Sequence, residues 1–365
     1  MWRFFRHNKN NAPLSLKQVA DEQIMLEHCQ KTKAFFLGQT QSGLKKASLS
    51  NFSRNPFLKW ETMNTTLYRY HLRDVVLDSY HMVLFKDGQV IPDSNYVLPP
   101  EIWKNLKVDT ENLISYDKSV ACCFDHWAHN YFHWMTHAIP TFYMSKQEKH
   151  NATFLVPKLK GWQIRTLELL DIDKASCSPI EKTKQYFFSD FYYYDFATGR
   201  TDFAISQRIQ DAYVYLAQKI ALDDETKHQK IYISRLNKEN RQVTNEAALV
   251  EALRERGYFI LDPETLTIDQ QINIFKQTRL VVALLGAGLT NIAFCKPGTF
   301  VYELIPSHHQ NPCFLKMSMQ GHLAYWADQF ETGVSTMDHT SPCTAMLDIH
   351  AIIQRLDEIE ALMPN

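Results

Sequence analysis

The chain has 365 residues, of which 45% are apolar and 22% charged, as expected for a soluble globular protein with room for two domains. Its 39 basic and 40 acidic residues nearly cancel, so the overall charge does not indicate a nucleic-acid partner. The 7 cysteines have no pairwise metal-ligand spacing, which predicts reduced thiols. Without an apolar run of about 18 residues or a signal-peptide core, the sequence predicts a cytoplasmic protein with no membrane span.

The first residues of the chain mix aromatic and basic side chains. Met1 to Arg6 contain one tryptophan, two phenylalanines and two arginines, which fits contact with an anionic lipid surface such as the inner face of a plasma membrane. A frayed terminus is the alternative.

The N-terminal half is predicted to mix helices with short strands. Ser15 to Gln18 fits a capping box, and the apolar residues that continue to Leu37 predict a first helix. Residues 38–53 are predicted to form a loop. A tight hairpin is predicted at Asp87-Gly88. Strands are predicted at 75–77, 82–85, 90–91, 154–157 and 186–196, and helices at 162–170 and 203–221.

The C-terminal half alternates strands and helices. The pattern predicts a doubly wound parallel sheet, in which ligands bind at the carboxyl ends of the strands. Arg235, the turn at Gly286 and Glu303 are expected to converge there. Strands are predicted at 230–235, 258–261, 281–285 and 300–305. The predicted domain ranges are 1–200, 201–345 and 346–365, the last of them an amphipathic helix.

The centre of this half is the turn Gly286-Ala287-Gly288-Leu289-Thr290-Asn291 after an unbroken apolar run. Two glycines let the backbone approach a ligand closely. Thr290 or Asn291 is expected to cap a following helix, whose free N–H groups and dipole suit a phosphate. A plain strand-to-helix turn is the alternative.

A set of residues lies along the chain in a fixed order: Asn130-Tyr131-Phe132-His133-Trp134-Met135 with Pro140, then, far downstream, Ile233-Ser234-Arg235, Arg241, Asn245-Glu246, Gln271, the turn from Gly286 to Asn291, and Glu303. In this order these residues resemble the signature of glycosyltransferase family 61. Two positions depart from the family: Leu285 stands where a histidine is usual, and His137 where an acid is usual.

The resemblance implies a GT-B-like α/β fold: two Rossmann-like domains facing across a cleft, with a C-terminal helix that crosses back onto the N-terminal domain. It assigns the acceptor to the domain of residues 1–200 and the nucleotide-sugar to the domain of residues 201–345. It also implies inverting, metal-independent transfer of a sugar from a nucleotide-sugar, UDP-linked by expectation, to a glycan or lipid-linked glycan acceptor. No cofactor and no metal are expected. Combined with the predicted cytoplasmic location, it points to the bacterial branch that assembles capsule or lipopolysaccharide.

Donor binding is predicted for a set of C-terminal residues. Arginines bind phosphate oxygens through paired donors, and an acid at a strand end can accept from ribose hydroxyls. The alternatives are surface ion pairs for the arginines, a helix cap for the asparagine and a loop contact for the glutamate. The predicted donor residues are Arg235, Arg241, Asn245, Gly286, Ala287, Gly288, Leu289, Thr290, Asn291 and Glu303.

The catalytic base is predicted in the N-terminal half. His133 and His137 fall on one face of a helix from Tyr131 to Met144, and histidine suits proton removal near neutral pH. Asp125 is a nearby acid. Structural histidines and a metal pair are the alternatives, and the latter lacks an obvious third ligand. Acceptor contacts are predicted for Asn130, Tyr131 and Trp134.

Two other functions remain open at this stage. A nucleotide-binding module with a decayed site would explain Leu285 and His137. An NAD-dependent oxidoreductase is disfavoured because Asn291 stands where a third glycine is expected.

Overall fold

The computed structural model describes residues 13–30, 64–95, 99–148, 150–196, 204–223, 228–238, 243–309, 311–332 and 345–364. The predicted lipid contact at Met1 to Arg6, the loop at 38–53 and Arg241 lie outside these residues. The chain divides into two compact units within a helix of residues 207–218, between Leu216 and Ala217. The boundary predicted near residue 200 lies N-terminal to this division.

The described part of the N-terminal unit contains eleven strands and short helices. The strands are β1 Glu22–Cys29, β2 Thr65–Leu72, β3 Val75–Asp78, β4 Val83–Lys86, β5 Gln89–Ile91, β6 Ile114–Tyr116, β7 Val120–Cys122, β8 Thr153–Val156, β9 Cys177–Pro179, β10 Gln185–Phe188 and β11 Phe191–Tyr194. The helices are α1 Leu16–Val19, α2 Pro100–Trp103, α3 Tyr131–His133, α4 Ile139–Gln147, α5 Gly161–Leu169 and α6 Gln207–Gln218.

Two mixed sheets build this unit, in the orders β1-β2-β11-β7-β8-β9 and β5-β4-β3-β10-β6. The strands β11, β7, β8 and β9 run parallel, whereas β2 pairs antiparallel with β11, and β1 pairs antiparallel with β2. The Rossmann-like expectation therefore fits only the β7-to-β9 part, where helices connect parallel strands. The antiparallel pair and the second sheet depart from it.

The first predicted helix is wrong beyond its first turn as far as residue 30, and its predicted continuation to Leu37 lies outside the described residues. α1 ends at Val19, and β1 then pairs with β2 from Glu22 opposite His71 to Cys29 opposite Thr65. Pairing with a neighbouring strand outweighs a weak helical periodicity. The hairpin prediction is confirmed, since Asp87 and Gly88 between β4 and β5 have φ angles of 50° and 78°.

One helical run passes from α3 through a π-helical turn, Trp134–Ala138, into α4. Pro140 has no N–H to donate and its ring crowds the carbonyl four residues before it, which explains a widened turn at this point. The hydroxyls of Thr136 and Thr141 each donate to the carbonyl four residues back, at 2.7 Å. The turn places His137 in the widened segment.

The described C-terminal unit is a five-stranded, wholly parallel sheet in the order β13-β12-β14-β15-β16. The predicted alternation is confirmed, whereas β16 and the helix before it were not predicted. Its elements are β12 Lys230–Ile233, α7 Glu246–Glu255, β13 Phe259–Leu261, α8 Ile268–Gln277, β14 Leu280–Leu284, a 3-10 helix Ala287–Phe294, β15 Phe300–Pro306, α9 Cys313–Gln320, β16 Ala324–Phe330 and α10 Ile349–Glu360.

The final helix, α10, is amphipathic as predicted, but it packs within the core of the C-terminal unit. Ile352, Leu356 and Ile359 are buried in the same cluster as Leu249 and Leu253 of α7. Glu360 accepts from Tyr258 Oη at 2.6 Å and pairs with Lys230 Nζ at 3.3 Å. Its apolar face therefore completes the cover of its own sheet; packing on the N-terminal domain stays a prediction.

No helix in the described part of the chain is long and apolar enough to cross a membrane.

Candidate active site

The sheet order of the C-terminal unit creates a switch point between β12 and β14. β12 connects to β13 on one side, whereas β14 leads on to β15 and β16 on the other. In open parallel sheets the loops diverge at such a point and leave a ligand crevice beyond the strand ends. Arg235 follows β12 and Gly286 follows β14, so two predicted donor residues lie at this crevice.

Arg235 packs directly on the glycine turn. A Cβ atom added to Gly286 would lie 2.2 Å from Arg235 Nη1. The φ angle of Gly286 is 179°, which any residue can adopt, so the glycine matters here for the space that it leaves to the guanidinium and not for its backbone conformation. A Cβ on Gly288 would lie 3.1 Å from Pro263 Cγ and 3.2 Å from Ile233 Cγ2. The guanidinium and the turn backbone thus form one surface.

Glu246 fixes the end of β12 beneath this surface. It is 1% exposed, and its Oε1 accepts from Arg235 N at 2.6 Å, Tyr232 Oη at 3.0 Å and Ser234 Oγ at 3.3 Å. As the first residue of α7, its carboxylate also lies at the positive end of a helix dipole. Burial lowers the pKa of Arg235 and the carboxylate of Glu246 opposes that shift. Arginine remains charged at neutral pH.

The turn continues as a 3-10 helix that starts at Ala287, with Gly286 as its N-cap. The prediction that Thr290 or Asn291 caps the helix is wrong, because both lie inside it and are buried. Asn291 Nδ2 donates to Gln271 Oε1 at 2.8 Å and to Gly288 O at 3.1 Å. Asn291 and Gln271 therefore hold the turn from its buried side. Ala287 and Gly288 are only partly buried.

Three other predicted positions have structural contacts. Asn245 uses both amide atoms on Leu347, donating to its O at 2.9 Å and accepting from its N at 2.8 Å. Glu303 is fully buried and accepts from Tyr325 Oη. Leu285, at the position of the usual histidine, is buried and its N donates to Leu304 O. Donor binding by Asn245 and Glu303, like that by Leu289, stays a prediction.

The three predicted catalytic residues of the N-terminal unit come together. Asp125 Oδ2 accepts a short hydrogen bond from His137 Nδ1 and lies 3.7 Å from His133 Nδ1. The Nδ1 atoms of the two histidines are 3.5 Å apart. The carboxylate enters from the loop after β7, and both rings enter from the helical run.

The three residues differ in exposure and charge. The side chain of His133 is 17% exposed, against 1% for His137 and 2% for Asp125. Burial lowers the pKa of His133, and Asp125 opposes that shift. Burial acts to raise the pKa of Asp125, but the two histidines hold it below its ordinary value. His133 is therefore the member that can reach a substrate, as a neutral base beside an ionised carboxylate.

The same cluster offers a third metal ligand that the sequence did not reveal. One ligand atom from each residue lies within 4.8 Å of the others, and two imidazoles with a carboxylate are a donor set that zinc accepts. Asp125 and His137 lie at hydrogen-bonding distance, closer than two ligands of one metal ion. Metal-independence stays a prediction.

The predicted acceptor residues have different positions. Trp134 is fully buried and its Nε1 donates to Thr166 Oγ1 at 2.8 Å, so its predicted acceptor contact is wrong and its role is packing. Asn130 Oδ1 accepts from Phe132 N at 2.8 Å and caps α3. The ring of Tyr131 meets Trp162 edge-on at 5.4 Å. Acceptor binding by Asn130 and Tyr131 stays a prediction.

Trp127 is a site residue that the sequence analysis missed. Its N donates to Asp125 Oδ1 at 2.8 Å, and its ring centroid lies 4.7 Å from that of His133. The signal was the short spacing from Asp125, since aspartate commonly accepts from the backbone two residues on.

One protein-family model matches part of the chain. The model described as Glycosyltransferase 61 matches residues 131–302. The matched stretch includes His133, His137, Arg235 and the glycine turn, and excludes Asp125 and Glu303. No curated protein matches the chain. The match supports the predicted resemblance and a glycosyltransferase that has a sugar donor and an acceptor.

Proposed function

We propose that this protein is an inverting glycosyltransferase that moves a sugar from a nucleotide-sugar, UDP-linked in our proposal, to a hydroxyl of a glycan acceptor without a metal ion. The observation that carries the proposal is the guanidinium of Arg235 lying on the turn of Gly286 at the switch point of the parallel sheet. In that arrangement the ligand crevice is lined by a positive charge, from Arg235, and by backbone that a ligand can approach closely, at the Gly286 turn. The family match covers both the turn and His133.

The donor diphosphate is assigned to Arg235 and the turn backbone. The guanidinium offers two parallel donors to phosphate oxygens, and the first N–H groups of the 3-10 helix add partial positive charge. This charge stabilises the diphosphate as the bond from the anomeric carbon to its oxygen breaks and the oxygen keeps the electron pair.

The acceptor proton is assigned to His133. Its Nδ1 edge faces Asp125, so Nε2 lies on the opposite edge of the ring. As the acceptor oxygen forms its new bond to the anomeric carbon, Nε2 takes the hydroxyl proton, and the ionised Asp125 stabilises the imidazolium that results. His137 is a positioning residue, because its buried Nδ1 holds the carboxylate in place.

We further propose that the enzyme belongs to the bacterial branch of the family and acts in capsule or lipopolysaccharide assembly at the inner face of the plasma membrane, with both units contributing to one GT-B-like enzyme. The predicted cytoplasmic location and the absence of a spanning helix among the described residues are compatible with that place.

The first test is a thermal-shift panel with UDP, CMP, GDP and NAD. A nucleotide at a hundred times its dissociation constant stabilises the fold by about 2.7 kcal/mol. We expect a shift with one nucleotide, UDP in our proposal, and a loss of affinity of roughly thirtyfold in Arg235→Ala, because a charged hydrogen bond contributes about 2 kcal/mol.

Arg254→Ala is the matched control, since this exposed arginine of α7 pairs only with Glu251 at the surface among the described residues. Its nucleotide affinity should equal that of the wild type. A shift with NAD alone, or no shift with any nucleotide, would contradict the proposal. Nucleotide binding that is never followed by release of sugar from any donor, with or without EDTA, would favour the non-catalytic binding module.

A further inference from the structure

The N-terminal unit contains an apolar cavity of about 640 Å³ beside β9, the edge strand of its six-stranded sheet. Val156, Ile164, Leu167 and Ile172 form much of its wall. Burial raises the pKa of the Cys177 thiol in the same wall to about 11, so the thiol stays protonated and acts as an apolar group. Cavities of roughly 300–1,000 Å³ bind small ligands.

The rim of this cavity carries two lysines and three carboxylates, which differ in whether their side chains are paired. Its carboxylates have partners: Glu168 pairs with Arg165 at 3.0 Å, Asp171 with Lys146 at 3.4 Å, and Asp173 accepts from a backbone N–H at 3.1 Å. By contrast, the side chains of Lys158 and Lys174, both exposed, form no ion pair or hydrogen bond among the residues that the structure describes. An apolar interior below two such ammonium groups fits an anionic amphiphile.

One helix joins this cavity to the candidate base. α5 lines the cavity through Ile164 and Leu167. Its other side reaches the active-site elements: Gln163 Nε2 donates to Ala128 O at 2.9 Å, in the loop that carries Asp125, and Thr166 Oγ1 accepts from Trp134 Nε1 at 2.8 Å. A molecule held in the cavity would thus lie one helix away from His133.

We propose that this cavity binds a single long apolar chain that ends in a phosphate, with the chain against Ile164 and Leu167 and the phosphate between Lys158 and Lys174. The identity of this apolar molecule rests on the proposed function: it is the lipid of a lipid-linked glycan acceptor. The cavity then holds the acceptor by its lipid while the glycan extends toward His133.

The test is calorimetric titration of the full chain with farnesyl phosphate and with farnesol. The wild type should bind farnesyl phosphate at least about tenfold more tightly than farnesol, because the two lysines attract the phosphate. The double variant Lys158→Glu with Lys174→Glu should lose that preference and keep farnesol binding. Cys177→Trp, which fills the cavity, should lose both ligands, and Ile164→Trp is the second filling variant if the first does not fold.

Lys118→Glu is the control, since this exposed lysine of the same unit does not line the cavity and its change should affect neither ligand. Farnesyl phosphate that does not bind the wild type, or binds both filling variants unchanged, would overturn the proposal. So would binding to phosphatidylglycerol vesicles that survives both filling variants, since the lysines then serve a membrane surface. Every variant should keep the wild-type thermal shift with nucleotide, which separates this result from failure of donor binding.

Discussion

Gly286 shows how one residue can be required by its neighbour rather than by its own backbone. Its extended φ angle of 179° permits any side chain, yet a Cβ would meet Arg235 Nη1 at 2.2 Å. Gly257 is the opposite case, with φ at +77° and nothing within 4 Å of its added Cβ. The two glycines therefore predict opposite outcomes on substitution.

Gly286→Ala should weaken nucleotide binding about as much as Arg235→Ala, roughly thirtyfold, because the methyl group displaces the guanidinium from the turn. Its melting temperature should stay close to that of the wild type. Gly257→Ala should lose about 1 kcal/mol of stability through its left-handed backbone and bind nucleotide normally. Calorimetry and thermal melts on both variants measure this, and equal nucleotide affinity in Gly286→Ala and wild type would refute it.

The pH dependence of kcat/KM should reflect the pKa of His133 and the charge of Asp125. The neutral base is His133, whose pKa lies below its ordinary 6.5, so kcat/KM should stay high as the pH falls past 6.5 and drop only below that shifted value. Asp125→Asn should reduce kcat/KM about a hundredfold. It should also move the acid limb to lower pH, because the imidazolium loses its counter-charge. Asp117→Asn, an exposed change in the same unit, is the control, and an unmoved limb in Asp125→Asn would count against His133 as the base.

At the scale of elements, α7 positions the donor site through its first residue. Glu246 joins the helix start to the end of β12 through Tyr232, Ser234 and the backbone of Arg235. A helix cap was the alternative to donor binding for Asn245, and the residue does stand at the N-cap of α7, but its side chain binds Leu347. The glutamate is the residue that connects the helix to the site.

Glu246→Ala should destabilise the C-terminal unit by about 3 kcal/mol, since it leaves buried donors without an acceptor, and should weaken nucleotide binding by releasing Arg235. Glu246→Gln keeps one acceptor oxygen and should lose less stability and less nucleotide affinity than Glu246→Ala. Glu255→Ala, at the exposed end of the same helix, should change neither. Urea unfolding measures the stability of the three variants, and nucleotide titration measures their affinity. A destabilised Glu246→Ala with wild-type nucleotide affinity would show that Glu246 supports folding but does not position Arg235.

At the scale of the whole molecule, buried titratable groups act on stability in opposite directions. Burial lowers the pKa of His126 to about 4, and those of His129 and His133 are also lowered. These histidines contribute stability that is complete above pH 6.5 and is lost as the pH falls through their folded values. Burial raises the pKa of Asp195 from 3.8 to about 6. Its contribution is complete below pH 3.8 and is lost as the pH rises through 6.

Asp195→Asn should therefore gain stability relative to the wild type as the pH rises from 4 to 7, by about 2 kcal/mol. The amide oxygen can still accept from Tyr68 N and Tyr70 Oη, as the carboxylate does at 3.0 and 3.3 Å. Thermal melts of both proteins at several pH values measure the difference between them, in which the histidine contributions cancel. A constant difference across this range would show that Asp195 does not titrate there.

The sequence by itself determined the elements whose formation depends on residues close together in the chain. The apolar run of β14 followed by glycines and the Asp87-Gly88 hairpin were predictable because backbone geometry and burial act within a few residues. The sequence also identified Arg235, His133, His137 and Asp125 as candidates, since their chemistry depends on residue type.

Only the tertiary structure decided how distant residues combine. The order of the parallel strands created the switch point that brings Arg235 onto Gly286, and no local pattern encodes strand order. Pairing with β2 converted a predicted helix into β1, and burial removed Trp134 from the acceptor site while Trp127 came beside His133. The cavity beside β9 arises from α5 and an edge strand together. These features depend on contacts between segments far apart in the chain, whose energies no short stretch of sequence contains.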